Sequence, residues 1–136
     1  VFINLSGIIG CLILGRYEDK FGSERTVLIC IVSLLLSTGF LYFTKEYEIF
    51  WMLALLIGFF IGPIQAASRS VIVKKIKSSD QLSAFCSYAM FGNICAILGP
   101  FLVSLIIDYS DSIRYGLLII PTFFLLSLVP FKKISV

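Results

Sequence analysis

Nineteen charged residues punctuate this 136-residue chain, and they leave five stretches without any: residues 1–15, 26–44, 49–68, 81–107 and 115–131. A helix needs roughly 20 residues, at about 1.5 Å each, to cross the hydrocarbon core of a bilayer. A charge near its centre costs about 2.5–3.5 kcal/mol. The pattern predicts five membrane spans, and so an all-α polytopic membrane protein in which residues 1–136 form a single, incomplete helical bundle. Composition points the same way. The chain is 59% hydrophobic and 14% charged, whereas soluble domains hold about 45–50% apolar and 25% charged residues. A soluble domain, a disordered tail, a nucleic-acid module and a disulfide scaffold are all excluded; the partner is the lipid bilayer.

The first charge-free run is short and opens on Val1 rather than Met. A secretory signal would place a basic residue before the apolar stretch; here Arg16 follows it. Val1–Gly15 therefore reads as the truncated end of a membrane helix, and the chain as a fragment.

Basic residues fall unevenly between the runs. Arg16, Lys20, Arg25, Arg69, Lys74, Lys75, Lys77, Lys132 and Lys133 lie on one alternating side, and only Lys45 and Arg114 on the other. Lys and Arg are retained in the cytoplasm, which predicts an outside N-terminus and a cytoplasmic C-terminus. The net charge of +3 reflects this bias and needs no nucleic acid to explain it. The outer hairpin at Lys45–Glu48 is ringed by Tyr42, Phe43, Tyr47, Phe50 and Trp51. Such amphipathic rings favour the headgroup level, so the cluster marks a membrane boundary.

The chain contains no His, the commonest metal ligand and general base. Cys11, Cys30, Cys86 and Cys95 all lie in apolar runs without paired spacing, and they read as small buried apolar residues. No Ser has a His to activate it, and no acid lies inside a span. These absences argue against an enzyme, a metal site and a cofactor.

What remains is the placement of small and polar residues. Gly58, Gly62, Ala66 and Ser70 recur every four residues, as do Gly7, Cys11 and Gly15; such stripes let helices approach closely. Pro63 lacks an N–H and marks a weak point in its helix. Gln65 and Arg69 are one turn apart and share a face. Arg69 either snorkels to the interface or faces a water-filled cavity, and both readings stand. Asn93 lies near the middle of the longest run, where an unpartnered amide is costly; it is either packing glue or a cavity residue, with Tyr88 about one turn away. Gly99-Pro100 predicts a bend or break in that span. Ser78 and Gln81 have capping-box spacing for its start.

Residues 15–25 read GRYEDKFGSER, with Gly15, Asp19, Lys20, Gly22 and Arg25 in a fixed order between two spans. This resembles the signature of the major facilitator superfamily, a Gly, then Asp-basic-x-Gly, then basic residues. Glu18 stands where that family usually has a small residue. A tight turn at Gly22, and an acid such as Asp19 set against a helix N-terminus, give the motif a physical rationale. Gly62-Pro-Ile-Gln65-Ala-Ala-Ser68-Arg69-Ser70, followed by Leu98-Gly99-Pro100, is similar to the branch containing the vacuolar amino-acid effluxers of autophagy and their bacterial relatives. Pro63 replaces that branch's second Gly.

The resemblance implies spans eight to twelve of a twelve-span secondary transporter, in which two six-helix bundles rock around a central cavity. It implies that the N-terminal half of the same protein is a partner and that a small solute, amino acids being exported, is the cargo. It also implies a cytoplasmic gate at Gly15, Asp19, Lys20, Gly22 and Arg25. Gln65, Ser68, Arg69, Tyr88 and Asn93 would line the cavity or its cytoplasmic mouth, with helix bends at Pro63, Gly99 and Pro100. The membrane would be a bacterial inner membrane or a eukaryotic vacuolar one. A non-transporting assembly or anchoring subunit, and a lipid-moving protein of the same fold, are the alternatives.

Overall fold

The structure, a computed structural model, describes residues 2–44, 46–110 and 113–134, with side chains described as far as Tyr109 and again over 115–128. Lys45 lies outside the described residues, as do the side chains of Arg114, Lys132 and Lys133, which entered the count of bases. Among the described residues six helices follow one another: α1 (Phe2–Phe21), α2 (Ser23–Phe43), α3 (Tyr47–Lys75), α4 (Gln81–Ser110), α5 (Ile113–Leu117) and α6 (Ile119–Ile134). Among the described residues, α2, α3 and α4 are long and apolar enough to cross a membrane, and Tyr115–Leu128 is a shorter apolar stretch.

The helices run past the charge-free stretches. The charged segment 15–25 is not an extended loop: α1 continues to Phe21, α2 begins at Ser23, and Gly22 alone makes the turn. Arg, Glu and Lys are good helix formers, and beyond the hydrocarbon region their charges are solvated. Gly22 adopts φ 94°, ψ 152°, a region open essentially to glycine alone. Its carbonyl accepts the first helical bond of α2, from Thr26 N, at 3.3 Å.

The core gathers around α2. Val27, Cys30, Ile31 and Leu34 are buried, Ala67 of α3 is wholly buried, and Phe124 and Leu128 of α6 pack against them. Four polar residues on α2 are buried as well: the Ser23 hydroxyl donates to Glu18 Oε1 of α1, and the other three are satisfied along their own helix. Thr26 donates to Gly22 O, Ser37 to Ser33 O and Thr38 to Leu34 O, so the burial leaves no orphan donor.

Helix α3 packs along both α1 and α2. Its crossing with α1 is built from glycines. A methyl at Gly10 would overlap the Phe59 carbonyl, one at Gly58 would lie 2.7 Å from Ile3 O, and one at Gly62 would lie 2.9 Å from Gly7 O. The Ser6 hydroxyl donates to Leu55 O at 2.7 Å across the same interface. Bare backbone surfaces in contact are how helices associate where no water drives them together. The expected stripe of Gly7, Cys11 and Gly15 is corrected here: Gly10 takes part, whereas Gly15 has nothing near its Cβ position. Pro63 sits inside an unbroken α3. It has no N–H for the Phe59 carbonyl, four residues back, and that carbonyl is the one lying against Gly10.

Two further expectations are corrected. Helix α4 runs continuously through Gly99 and Pro100, so no break occurs there. The interruption comes in the fifth charge-free run instead, at Leu118, whose N–H bonds back to Tyr115 O at 3.2 Å, just before Pro121. The side chain of Gln81 does not join Ser78 in a capping box. Its amide donates to Val73 O and Ile76 O at 3.1 and 3.3 Å, which satisfies carbonyls left open at the end of α3.

Candidate functional site

Helix α4 buries none of its described residues, and it touches α3 only lightly. The gap between the two is a cleft of about 650 Å³, lined by Gln65 and Arg69 from α3 and by Phe85, Tyr88, Ala89, Gly92 and Asn93 from α4. Four residues singled out from the sequence thus share one cleft. Helical spacing explains why: 65 and 69 are one turn apart on α3, while 85, 88/89 and 92/93 follow one face of α4. Phe85, Ala89 and Gly92 could have been read from that same period by starting at Tyr88.

Gln65, Arg69 and Asn93 are exposed and Tyr88 is half-buried. Among the described residues no acid lines the cleft and Arg69 pairs with no carboxylate. The cleft therefore offers one fixed positive charge, two amides and a phenol, set between apolar walls. These are groups for binding and orienting a solute. Among the described residues no cluster of His, Cys, Asp and Glu could hold a metal.

Ser68 does not enter this cleft. It lines a second cavity of about 450 Å³ between α2, α3 and α6, walled by Val27, Ile31, Ile64, Phe123 and Phe124 among others. Tyr88 lines both cavities. This chamber escaped the sequence reading because its walls come from four helices, and no local pattern encodes their meeting.

At the opposite end from the aromatic hairpin, the α1–α2 turn meets the end of α3. The Ser23 hydroxyl donates to Glu18 Oε1 at 2.7 Å, and the Lys74 ammonium donates to Ser23 Oγ at 2.6 Å and lies 4.0 Å from Glu18 Oε1. Lys75 pairs with Glu24 at 2.7 Å. The Glu18 side chain is largely covered and Lys74 is exposed; a surface pair such as Lys75–Glu24 contributes about 0–1 kcal/mol, so it sets geometry more than stability. Asp19, Lys20 and Arg25 are exposed and Gly15 is half-buried. The acid that meets the start of α2 is Glu18, not Asp19.

The described chain is an all-helical bundle with three apolar spans and a polar cleft between two of them. The chain belongs to the Major Facilitator Superfamily, which it matches over residues 2–134, and it is an integral, multi-pass membrane protein. It is 30% identical over 93 residues to an uncharacterized MFS-type transporter of Bacillus subtilis, covering 68% of this chain and 22% of that protein. It is 27% identical over 132 residues to a chloramphenicol resistance protein of Acinetobacter baumannii, covering 97% and 32%. Autophagy-related protein 22 of Candida glabrata is 28% identical over 122 residues, covering 83% and 22%. The chain thus spans between a fifth and a third of the length of these curated relatives. No solved structure matches it.

Proposed function

We propose that this chain is part of a secondary transporter that moves a small solute by alternating access, with Gln65, Arg69, Tyr88 and Asn93 on the solute's path. The observation that carries the reading is their convergence on one cleft between α3 and α4. Relatives named for efflux or drug resistance support an outward direction. Amino-acid export is the solute class implied by the likeness of Gly62–Ser70 to the autophagy branch. Full-length protein in liposomes is expected to exchange amino acids. A small water-soluble thiol reagent should modify a Cys placed at Asn93, and solute should slow that modification. Transport of some other solute alone would remove the amino-acid reading. An unreactive Cys with no transport at all would favour an assembly subunit, in which Asn93 is packing glue.

In this reading the Gly15–Arg25 segment and the end of α3 form the cytoplasmic edge, where Gly22 gives the gate a rigid corner. Arg16, Lys20, Arg25, Lys74 and Lys75 gather there, as the retention of basic residues in the cytoplasm requires. A reporter active only outside the cytoplasm is expected to work at Tyr47 and to stay silent at Lys75. The reverse result would invert the topology.

A further inference from the structure

The polar cleft and the apolar chamber meet at a shared wall, Tyr88. We propose that the two together form one site for an amphipathic monoanion, with a carboxylate held at Arg69 and a compact apolar group lodged past Tyr88. This rests on reading the α3–α4 cleft as the solute's place, and it departs from the amino-acid class, because no described residue lining the cleft is an acid that could hold an α-ammonium.

Charge fixes the head. Among the described residues Arg69 is the one charged side chain lining the cleft and no acid faces it there, and its planar fork suits an oxyanion. One cation matches one negative charge; a dianion such as a phosphate monoester would leave a charge uncompensated beside apolar walls. The Gln65 and Asn93 amides and the Tyr88 hydroxyl supply neutral hydrogen bonds around that head.

The chamber fixes the tail. Val27, Ile31, Ile64, Phe123 and Phe124 give it aliphatic and aromatic walls. Its two serines offer no spare donor, since Ser68 donates to Ile64 O at 2.6 Å and Ser127 to Phe124 O at 2.7 Å. A polar group entering there finds no donor on these walls beyond the Tyr88 hydroxyl, whereas an apolar group loses only water. The chamber's volume of about 450 Å³ lies in the range of small-molecule sites.

The experiment uses the full-length protein in detergent and follows its thermal unfolding with the straight-chain carboxylates from acetate to hexanoate. Matched alkylammonium and alkyl phosphate series run alongside. Carboxylates are expected to protect, with affinity rising roughly threefold to fourfold per added methylene. Arg69→Gln should bring them down to the level of the matched alcohols. Phe123→Trp, at a half-exposed wall position, should shorten the best chain while leaving Arg69 untouched. A flat response to chain length, or alkylammonium or phosphate protecting as well as carboxylate, would overturn the assignment. Length-dependent carboxylate protection in a protein that moves nothing across liposomes would leave this site standing and remove the transport reading. Transport without that protection would do the opposite.

Discussion

Replacing Gly10 with alanine is expected to destabilise the protein by about 1–3 kcal/mol, and replacing it with leucine to abolish the folded form. The atom in the way is the Phe59 carbonyl, part of a helix backbone that cannot swing aside. Overpacking against a flexible side chain is relieved by a change of rotamer; here α1 and α3 would have to separate, and the Ser6–Leu55 bond would open with them. Gly15 provides the internal control. It lies on the same helix with nothing within 4 Å of its Cβ position, so alanine there should fall within about 0.5 kcal/mol of the native residue. Thermal unfolding of detergent-purified, full-length protein, together with the yield of monodisperse material, measures both. Equal stability of the Gly10 and Gly15 variants would mean that α1 and α3 do not cross at this point.

The second large effect concerns Arg69. On the proposed reading, Arg69→Ala lowers kcat/KM for transport in proteoliposomes by roughly 30- to 150-fold, corresponding to about 2–3 kcal/mol for losing one partner of a desolvated charge pair. Arg69→Lys keeps the charge but not the planar fork, and should fall between the two. Thermal stability should hardly change, because Arg69 is exposed and pairs with no carboxylate among the described residues. If the residue only anchors the helix end at the interface, the pattern differs. Lys then matches Arg in transport, and Ala lowers the yield of inserted protein rather than its rate.

Much of the architecture was legible because the bilayer imposes a strong rule on the chain. Charge is excluded over a fixed length, and spans can be read by where charge stops. Helix ends were less legible, since outside the hydrocarbon a charged residue such as Lys20 or Arg69 continues a helix as readily as it leaves one. Periodicity pairs Gln65 with Arg69, and the cost of an amide at a helix centre singles out Asn93; that both helices' residues line one place is implied by the family resemblance, which also includes Ser68, a residue of the other cavity. Tertiary choices were not encoded locally. Nothing in the spacing of Gly7, Gly10, Cys11 and Gly15 says which three meet α3, and both Glu18 and Asp19 stand within reach of the next helix. Gly99-Pro100 reads as a bend or break, and α4 runs through it unbroken, since proline removes one hydrogen bond and leaves the rest of the ladder in place. The interruption fell at Leu118, two residues after Gly116, where a Cβ would lie 2.7 Å from the Ile107 side chain of α4.

The absence of buried residues along α4 separates two kinds of change within this chain. Substitutions on α2, or at the α1–α3 crossing, disturb a core shared by several helices and are paid for in folding. Along α4, the side chains facing the cleft are free to vary in size and polarity without emptying a packed site. On the proposed reading, rigidity rests on one set of helices and selectivity on another. If the cleft holds the solute as proposed, a new cargo would be reached by substitution at positions such as Phe85, Ala89 and Gly92, while the frame that holds them keeps its stability.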